Sequence, residues 1–120
     1  MRKTTAILMF VAATLAFSNS LMAGALPRAI DLRTSVRAFD TDRFEWTLFE
    51  GGRQARVEVN GDGDTDLDLY IYDRNDNLVA KDDDNLDYCV VRWFPHDTGY
   101  YRIVVRNRGS VPNVYTLRSN

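Results

Sequence analysis

Strict alternation of apolar and polar residues constrains the fold of this chain more than any other feature. In the stretch 66–72, Leu67, Leu69 and Ile71 alternate with aspartate and tyrosine. The same period of two recurs in four further stretches: 43–48, 54–59, 88–93 and 100–106. Because successive side chains of a β-strand point to opposite faces of the sheet, this pattern predicts strands buried on one face.

Short polar segments separate these stretches and indicate tight connections between strands. The segment 60–64, which reads Asn-Gly-Asp-Gly-Asp, is rich in residues that tolerate turn conformations. A short returning strand at 78–81 and a final strand around Tyr115 and Leu117 complete the pattern. The sequence therefore predicts an all-β fold, an antiparallel β-sandwich or jelly roll of seven or eight strands.

The parity of the alternation predicts which side chains form the core. Phe44, Trp46 and Leu48 share one face of their strand, and we expect all three to point inward. Trp93 has the same inward parity, so both tryptophans are assigned to the core. Cys89 is the single cysteine and is expected to be a buried, unreactive thiol, with a disulfide between two chains as the alternative.

The first 25 residues have the layout of a secretory signal peptide. Arg2 and Lys3 precede an apolar run at 6–17, and Ala23-Gly24-Ala25 supplies small residues for cleavage. The run is shorter than the roughly 20 residues that a membrane-spanning helix needs. We expect a secreted or periplasmic bacterial protein with no membrane span after cleavage, and the alternative is an uncleaved anchor.

The rest of the chain divides into a lead-in at 26–40, which has room for an edge strand, and a single domain at 41–120. Residues 26–120 carry 13 basic and 17 acidic side chains, a net charge of −4. Ten aspartates fall between Asp62 and Asp87, against only Arg74 and Lys81. A concentration of negative charge is typical of a cation site or a solvated loop cluster, and it argues against a nucleic-acid partner.

Four stretches together resemble the bacterial pre-peptidase C-terminal domain family. They are 42–46 with the glycine turn at 50–52, the strand 66–73, the hairpin 77–80 leading into 82–84, and 98–105 with the closing 115–117. The resemblance implies a jelly-roll sandwich. It also implies similarity to the collagen-binding domains of clostridial collagenases, several of which bind calcium.

Family members usually follow the catalytic domain of a secreted protease, whereas this sequence contains no peptidase domain. A role in maturing an attached peptidase is therefore not carried over.

Aspartates on one strand and in one loop are the candidate metal ligands. Asp66 and Asp68 lie two residues apart on a strand and share a face. A hairpin would return the next acidic loop to the same corner, which adds Asp82, Asp83, Asp84 and Asp87. Ca²⁺ prefers several carboxylate oxygens from adjoining loops, so it is the candidate ion. The alternative is a solvated acidic edge that discourages aggregation between sheets.

Outward-facing aromatic residues are the candidate ligand-binding groups. Tyr70 and Tyr72 point away from the core if Leu67, Leu69 and Ile71 point into it, and Tyr100 is outward by the same parity. Exposed tyrosines combine rigid apolar area with a polar tip. Arg92, Arg102 and Arg106 are expected to rim this face. The alternative is that these tyrosines only reflect the preference of tyrosine for strands.

Catalysis is disfavoured: a pair of the aspartates could serve glycoside hydrolysis, which leaves a small hydrolase as the least favoured alternative, but a sandwich this small has little room for a deep cleft. His96 is the single histidine and lies in a turn, and no nucleophile-elbow motif surrounds Ser35, Ser110 or Ser119. We therefore expect a monomeric, non-catalytic module that binds an extracellular protein, peptide or polysaccharide. The alternative is a structural or assembly partner of a separately encoded secreted enzyme such as a peptidase.

Overall fold

The computed structural model describes residues 28–120, and the predicted signal peptide at 1–25 lies outside this part of the chain. The described residues form eight strands, which are β1 (Asp31–Val36), β2 (Thr41–Phe49), β3 (Ala55–Asn60), β4 (Leu67–Tyr72), β5 (Leu78–Asp82), β6 (Tyr88–Trp93), β7 (Gly99–Asn107) and β8 (Asn113–Ser119). Between residues 28 and 120, no helix is long and apolar enough to cross a membrane.

The strands form two four-stranded antiparallel sheets in a jelly-roll arrangement. One sheet has the order β1-β8-β3-β6 and the other has the order β2-β7-β4-β5. This confirms the predicted sandwich. Strand β1, which lies in the lead-in segment, pairs with β8 from Asp31 to Val36, so this part of the lead-in belongs to the first sheet.

The core lies between the inner faces of the two sheets. Leu67, Leu69 and Ile71 of β4 are completely buried, as their alternation predicts. Across the core, the Tyr115 hydroxyl of β8 donates a hydrogen bond of 2.6 Å to Asp42 Oδ2 of β2, which links the two sheets. Cys89 is also completely buried, as expected.

The predicted inward position of Trp46 and Leu48 is wrong. The register of β2 against β7 shifts between Phe44 and Thr47, and Trp46 has a positive φ of 61°. Such a bulge adds a residue to one strand and reverses the parity beyond it. Phe49, instead of Leu48, is therefore the next buried residue of β2 after Phe44.

Four loops meet at one end of the sandwich, and each joins a strand of one sheet to the next strand along the chain, which lies in the other sheet. These loops are 37–40, 61–66, 83–87 and 108–112, and together they are called the four-loop end. Hydrogen bonds between adjacent loops hold this end together, for example from Phe39 N–H to Gly109 O at 3.1 Å and from Gly61 N–H to Asp87 O at 2.9 Å.

Candidate functional site

The outer face of the β2-β7-β4-β5 sheet brings together the outward tyrosines that the sequence predicts. Tyr70 of β4 lies opposite Val104 of β7, and Tyr72 lies opposite Arg102. Both tyrosines are half-buried, so part of each ring is open to solvent. Tyr100 of β7 lies further along the same face and is also half-buried.

The bulge in β2 adds two apolar side chains to this face. Leu48 pairs with Tyr100 and therefore shares its outward direction. Trp46 lies beneath the Arg102 guanidinium on the same side of the sheet. The six residues Trp46, Leu48, Tyr70, Tyr72, Tyr100 and Val104 are called the aromatic face.

Arg102 is fixed at the centre of the aromatic face. Its Nε donates to Glu45 Oε1 at 2.8 Å, and its Nη1 donates to Asp76 Oδ1 at 2.7 Å. Its guanidinium carbon lies 5.5 Å from the centroid of the Trp46 ring, within the range of a cation–π contact. The hydrogen bond with Glu45 is the main reason that the pKa of Arg102 is raised. The arginine therefore links the bulged strand β2 with the loop between β4 and β5.

Tyr70 is held by the buried carboxylate beside it. Its hydroxyl donates to Asp68 Oδ2 at 3.1 Å. Burial, followed by this hydrogen bond, raises the pKa of Tyr70. The phenol therefore stays neutral at physiological pH, and its ring has a fixed orientation on the face.

Two exposed arginines border the aromatic face on one side. Arg43 lies opposite Val104, and Arg106 lies opposite Thr41. Both arginines are exposed, and within residues 28–120 neither takes part in an ion pair. On the other side, Lys81 pairs with Asp83 at 3.1 Å. The exposed rim is therefore positive where β2 and β7 border the face.

Arg92 does not belong to this rim. It lies on β6, opposite Arg56 of β3, in the other sheet. Its side chain is exposed on the far side of the sandwich. The expectation that Arg92 borders the tyrosines is therefore wrong, because the alternation gives the face of a strand but not the sheet to which that strand belongs.

Four of the six candidate metal ligands do approach one another, at the start of β4. Asp66 precedes the strand, and Asp68 is on it with 1% of its surface exposed. Burial, followed by the charge of Asp68, raises the pKa of Asp66, and Asp84 and Asp83 add to this effect. These four aspartates are called the acidic corner.

Two buried oxygen atoms of the acidic corner lack a hydrogen-bond donor among the described residues. They are Asp66 Oδ1 and Asp68 Oδ1. The other oxygen of Asp68 accepts from Tyr70 and, at 3.3 Å, from Nη1 of Arg108. Buried carboxylate oxygens without donors are costly unless a cation or water compensates them. This donor chemistry fits a hard cation such as Ca²⁺.

The other two candidate ligands serve the backbone. Asp82 Oδ2 accepts from Val90 N–H at 2.9 Å and so ties β5 to β6. Asp87 Oδ2 accepts from Gly63 N–H at 2.6 Å and from Asn113 Nδ2 at 3.2 Å. In residues 28–120, no three acidic, histidine or cysteine side chains form a group that could hold a metal ion.

Cys89 and His96 are not arranged as a nucleophile and its general base. The Cys89 Sγ donates to Leu67 O at 3.1 Å inside the core, and burial raises the pKa of its thiol well above the usual range. His96 is 96% exposed beside Asp97 in the turn between β6 and β7.

Sequence reasoning finds the three tyrosines of the aromatic face but misses Trp46 and Leu48. The alternation 44, 46, 48 is unbroken in the sequence, and nothing in it marks the bulge. Trp46 has a positive φ and contacts Arg102 of β7, a neighbouring strand that is far away in the sequence.

Comparison with known proteins gives little further information. No protein-family model matches the chain, and no curated protein matches it. Among solved structures, the chain is similar to PliG of Aeromonas hydrophila, described as a periplasmic lysozyme inhibitor of g-type lysozyme. The identity is 12% over 83% of this chain and 93% of that chain, with a TM-score of 0.48. At this level of similarity, nothing about a partner is transferred.

Proposed function

We propose that this chain is a non-catalytic binding module, secreted or periplasmic, that contacts a protein, peptide or glycan chain through its aromatic face. One observation carries the proposal: a bulge in β2 turns Trp46 and Leu48 outward, where they join three half-buried tyrosines. These two large apolar side chains of the edge strand β2 lie on the outer face of the sheet, where a ligand would cover them.

The composition of the aromatic face supports binding. Tyrosine, tryptophan and arginine are the residues that most often dominate the energy of binding interfaces. The Arg102 contacts fix the ring of Trp46, and the bond to Asp68 fixes Tyr70, so little side-chain entropy is lost when a ligand binds.

The shape of the aromatic face favours an extended polymer. It is the outer surface of a sheet. Its members lie on β7, from Tyr100 to Val104, and on the strands β2 and β4 that flank β7. Flat aromatic surfaces stack against sugar rings or peptide side chains along a chain. Arg43 and Arg106 at the rim add charged hydrogen-bond donors for carboxylate or carbonyl groups of such a ligand.

The test is a binding screen of the purified protein against collagen, other extracellular proteins and polysaccharides, with and without calcium. For every ligand found, the Tyr72→Ser/Tyr100→Ser variant is compared with Tyr88→Ser. Tyr88 is a matched control because it is exposed on the outer face of the other sheet.

The double variant should weaken binding by about tenfold or more, since each tyrosine is an interface anchor. The control should change binding by less than about twofold. An intact fold that binds no ligand of the panel in either condition would count against the proposal. Equal loss in the two variants would place the binding surface elsewhere.

We further propose that Ca²⁺ stabilises the acidic corner. The donor-free oxygens of Asp66 and Asp68 support this proposal. A ligand that binds only the folded state at a hundredfold excess over its Kd stabilises by about 2.7 kcal/mol. In a domain of this size, that corresponds to a rise in Tm of roughly ten degrees.

Melting curves in EDTA and in millimolar calcium test the calcium proposal. Asp66→Asn should abolish the calcium-dependent rise in Tm, and Asp97→Asn at the opposite end should leave it intact. If the Tm of the unaltered protein is the same in both buffers, calcium has no role.

A second candidate function is assembly with a separately encoded secreted enzyme such as a peptidase. The edge strand β5 favours it, because Leu78 and Val79 are 48% and 38% exposed there. An unpaired edge with apolar side chains is suited to adding a strand from another chain. Co-purification from the native host separates the two functions: an enzyme recovered in stoichiometric amounts favours assembly.

A further inference from the structure

Three large apolar side chains project from the four-loop end. Phe39, Leu86 and Val111 are 69%, 60% and 45% exposed. They lie on three of its four loops and are separate from the aromatic face. Exposed apolar residues grouped at one end of a domain are typical of an interaction surface.

Two of these residues are carried by a rigid framework. The buried Asn107 donates from Nδ2 to Val111 O at 2.8 Å and to Arg37 O at 3.1 Å. It also accepts from Gly109 N–H at 2.9 Å, and Gly109 O in turn accepts from Phe39 N–H at 3.1 Å. One buried amide therefore fixes both loops, and the two apolar side chains are presented in a set geometry.

The backbone of Phe39 has a conformation that is unfavourable for a bulky side chain. Its φ is 56°, in the left-handed region that a bulky residue rarely adopts. Strain of this kind costs on the order of 1–3 kcal/mol and is concentrated at functional positions. Neither the core nor the aromatic face needs Phe39 in this place.

Leu86 is held in a comparable way at the other side of the end. Its amide N–H donates to Asp84 Oδ1 at 2.9 Å, and its carbonyl accepts from Leu67 N–H at 3.3 Å. The backbone that carries this exposed leucine is therefore anchored to the start of β4.

The charge around these residues specifies the chemistry of a partner. The four loops carry seven aspartates against Arg37 and Arg108, which gives a net charge of −5. A second copy of this chain docked end to end would bring like charges together. A cationic surface would be attracted, and the donor-free Asp68 Oδ1 behind the loops adds to the negative field.

We propose that the four-loop end is a docking surface for a basic protein, with Phe39, Leu86 and Val111 as apolar anchors within an acidic field. This surface is distinct from the aromatic face. The docking proposal and the proposed function can therefore fail independently, because each predicts a different binding surface.

The probes are two strongly basic proteins, lysozyme and cytochrome c, with serum albumin as an acidic control. Binding to the purified protein is measured by calorimetry in EDTA at low and at high salt. Hydrogen exchange then identifies which backbone segments the partner protects. The EDTA removes any contribution from calcium at the acidic corner.

Two pairs of matched variants separate the contribution of the apolar anchors from that of the negative charge. Phe39→Ser is compared with Phe94→Ser, because both phenylalanines are 69% exposed on loops at opposite ends. Asp64→Asn/Asp83→Asn/Asp84→Asn is compared with Asp31→Asn/Glu50→Gln/Asp97→Asn. Each triple variant removes three exposed negative charges, but only the first removes them from the four-loop end.

We expect at least one basic probe to bind, with protection at 37–40, 83–87 and 108–112 and weaker binding at high salt. Phe39→Ser and the first triple variant should each weaken binding by about tenfold, and their controls by less than about twofold. The proposal is overturned if neither basic probe binds at low salt. It is also overturned if controls and test variants weaken binding equally, or if protection maps to the aromatic face.

Discussion

Arg102 and Trp46 form a stacked pair on the outer face of the sandwich, 5.5 Å from guanidinium carbon to ring centroid. The two residues lie on neighbouring strands, and the positive φ of Trp46 brings its ring under the arginine. The bulge in β2, the salt bridges of Arg102 and the aromatic face are therefore parts of one arrangement.

Removing the guanidinium should weaken this arrangement. Arg102→Ala loses a half-buried ion pair with Glu45 and the contact with Trp46, and we expect the free energy of unfolding to fall by about 1–2 kcal/mol. The exposed partner Asp76 contributes little to this loss. Urea denaturation measures the change. Arg92→Ala should cost less than about 0.5 kcal/mol, and equal losses in the two variants would contradict the pairing.

The hydrogen bond between Tyr115 and Asp42 should stabilise the core. Tyr115→Phe removes a buried hydroxyl that donates to a carboxylate, and we expect a loss of about 1–3 kcal/mol. The Tm should then fall by at least several degrees, at roughly 4–8 °C per kcal/mol for a small domain. A Tm within one degree or so of the unaltered protein would show that this bond is dispensable.

Cys89 should lower the free energy of unfolding as the pH becomes alkaline. Its pKa is raised in the folded state by burial, whereas an unfolded thiol ionises near about 8.5. Above that pH the unfolded chain loses a proton that the folded chain keeps. The free energy of unfolding should therefore decrease between about pH 8.5 and 10, by up to roughly 1.4 kcal/mol per pH unit.

The variant Cys89→Ala is the control for this pH dependence. It should be less stable at neutral pH but lose the slope between about pH 8.5 and 10. The native thiol should also resist a thiol-reactive dye until the chain unfolds. Rapid labelling of the folded protein would instead indicate an accessible cysteine, as the disulfide alternative requires.

The positive φ of Phe39 should make stability depend on which residue occupies this position. Asparagine tolerates the left-handed region, so Phe39→Asn should leave the Tm unchanged or raise it. Phe39→Val should lower stability by roughly 1–2 kcal/mol, because a β-branched residue is poorly accommodated there. Thermal melts of both variants decide the matter, and a stabilising valine would contradict the assigned backbone conformation.

Much of the fold follows from the sequence because period two is strong in each main strand. The inward set of Leu67, Leu69 and Ile71 is read directly from the alternation, and so is the outward set of Tyr70 and Tyr72. The alternation is local information, and β4 follows it from Leu67 to Tyr72.

The parts that sequence reasoning misses depend on contacts between distant strands. The sheet that contains Arg92 is decided by pairing between β3 and β6, and the facing of Trp46 is decided by a bulge against β7. Likewise, the side chain of Asp82 accepts a hydrogen bond from the backbone of β6, and it lies opposite Leu69, on the other face of the sheet from Asp68. Neither the pairing nor the bulge leaves a mark in the local pattern.

The central claim is that the aromatic face binds a ligand, and a nuclear magnetic resonance titration of the isotope-labelled protein tests it most directly. With the tightest ligand of the screen, we predict that amide shifts change mainly in β2 around Trp46 and Leu48, in β4 from Leu67 to Tyr72 and in β7 from Gly99 to Asn107. Shift changes confined to β3 and β8 of the other sheet, with β4 and β7 unaffected, would contradict it.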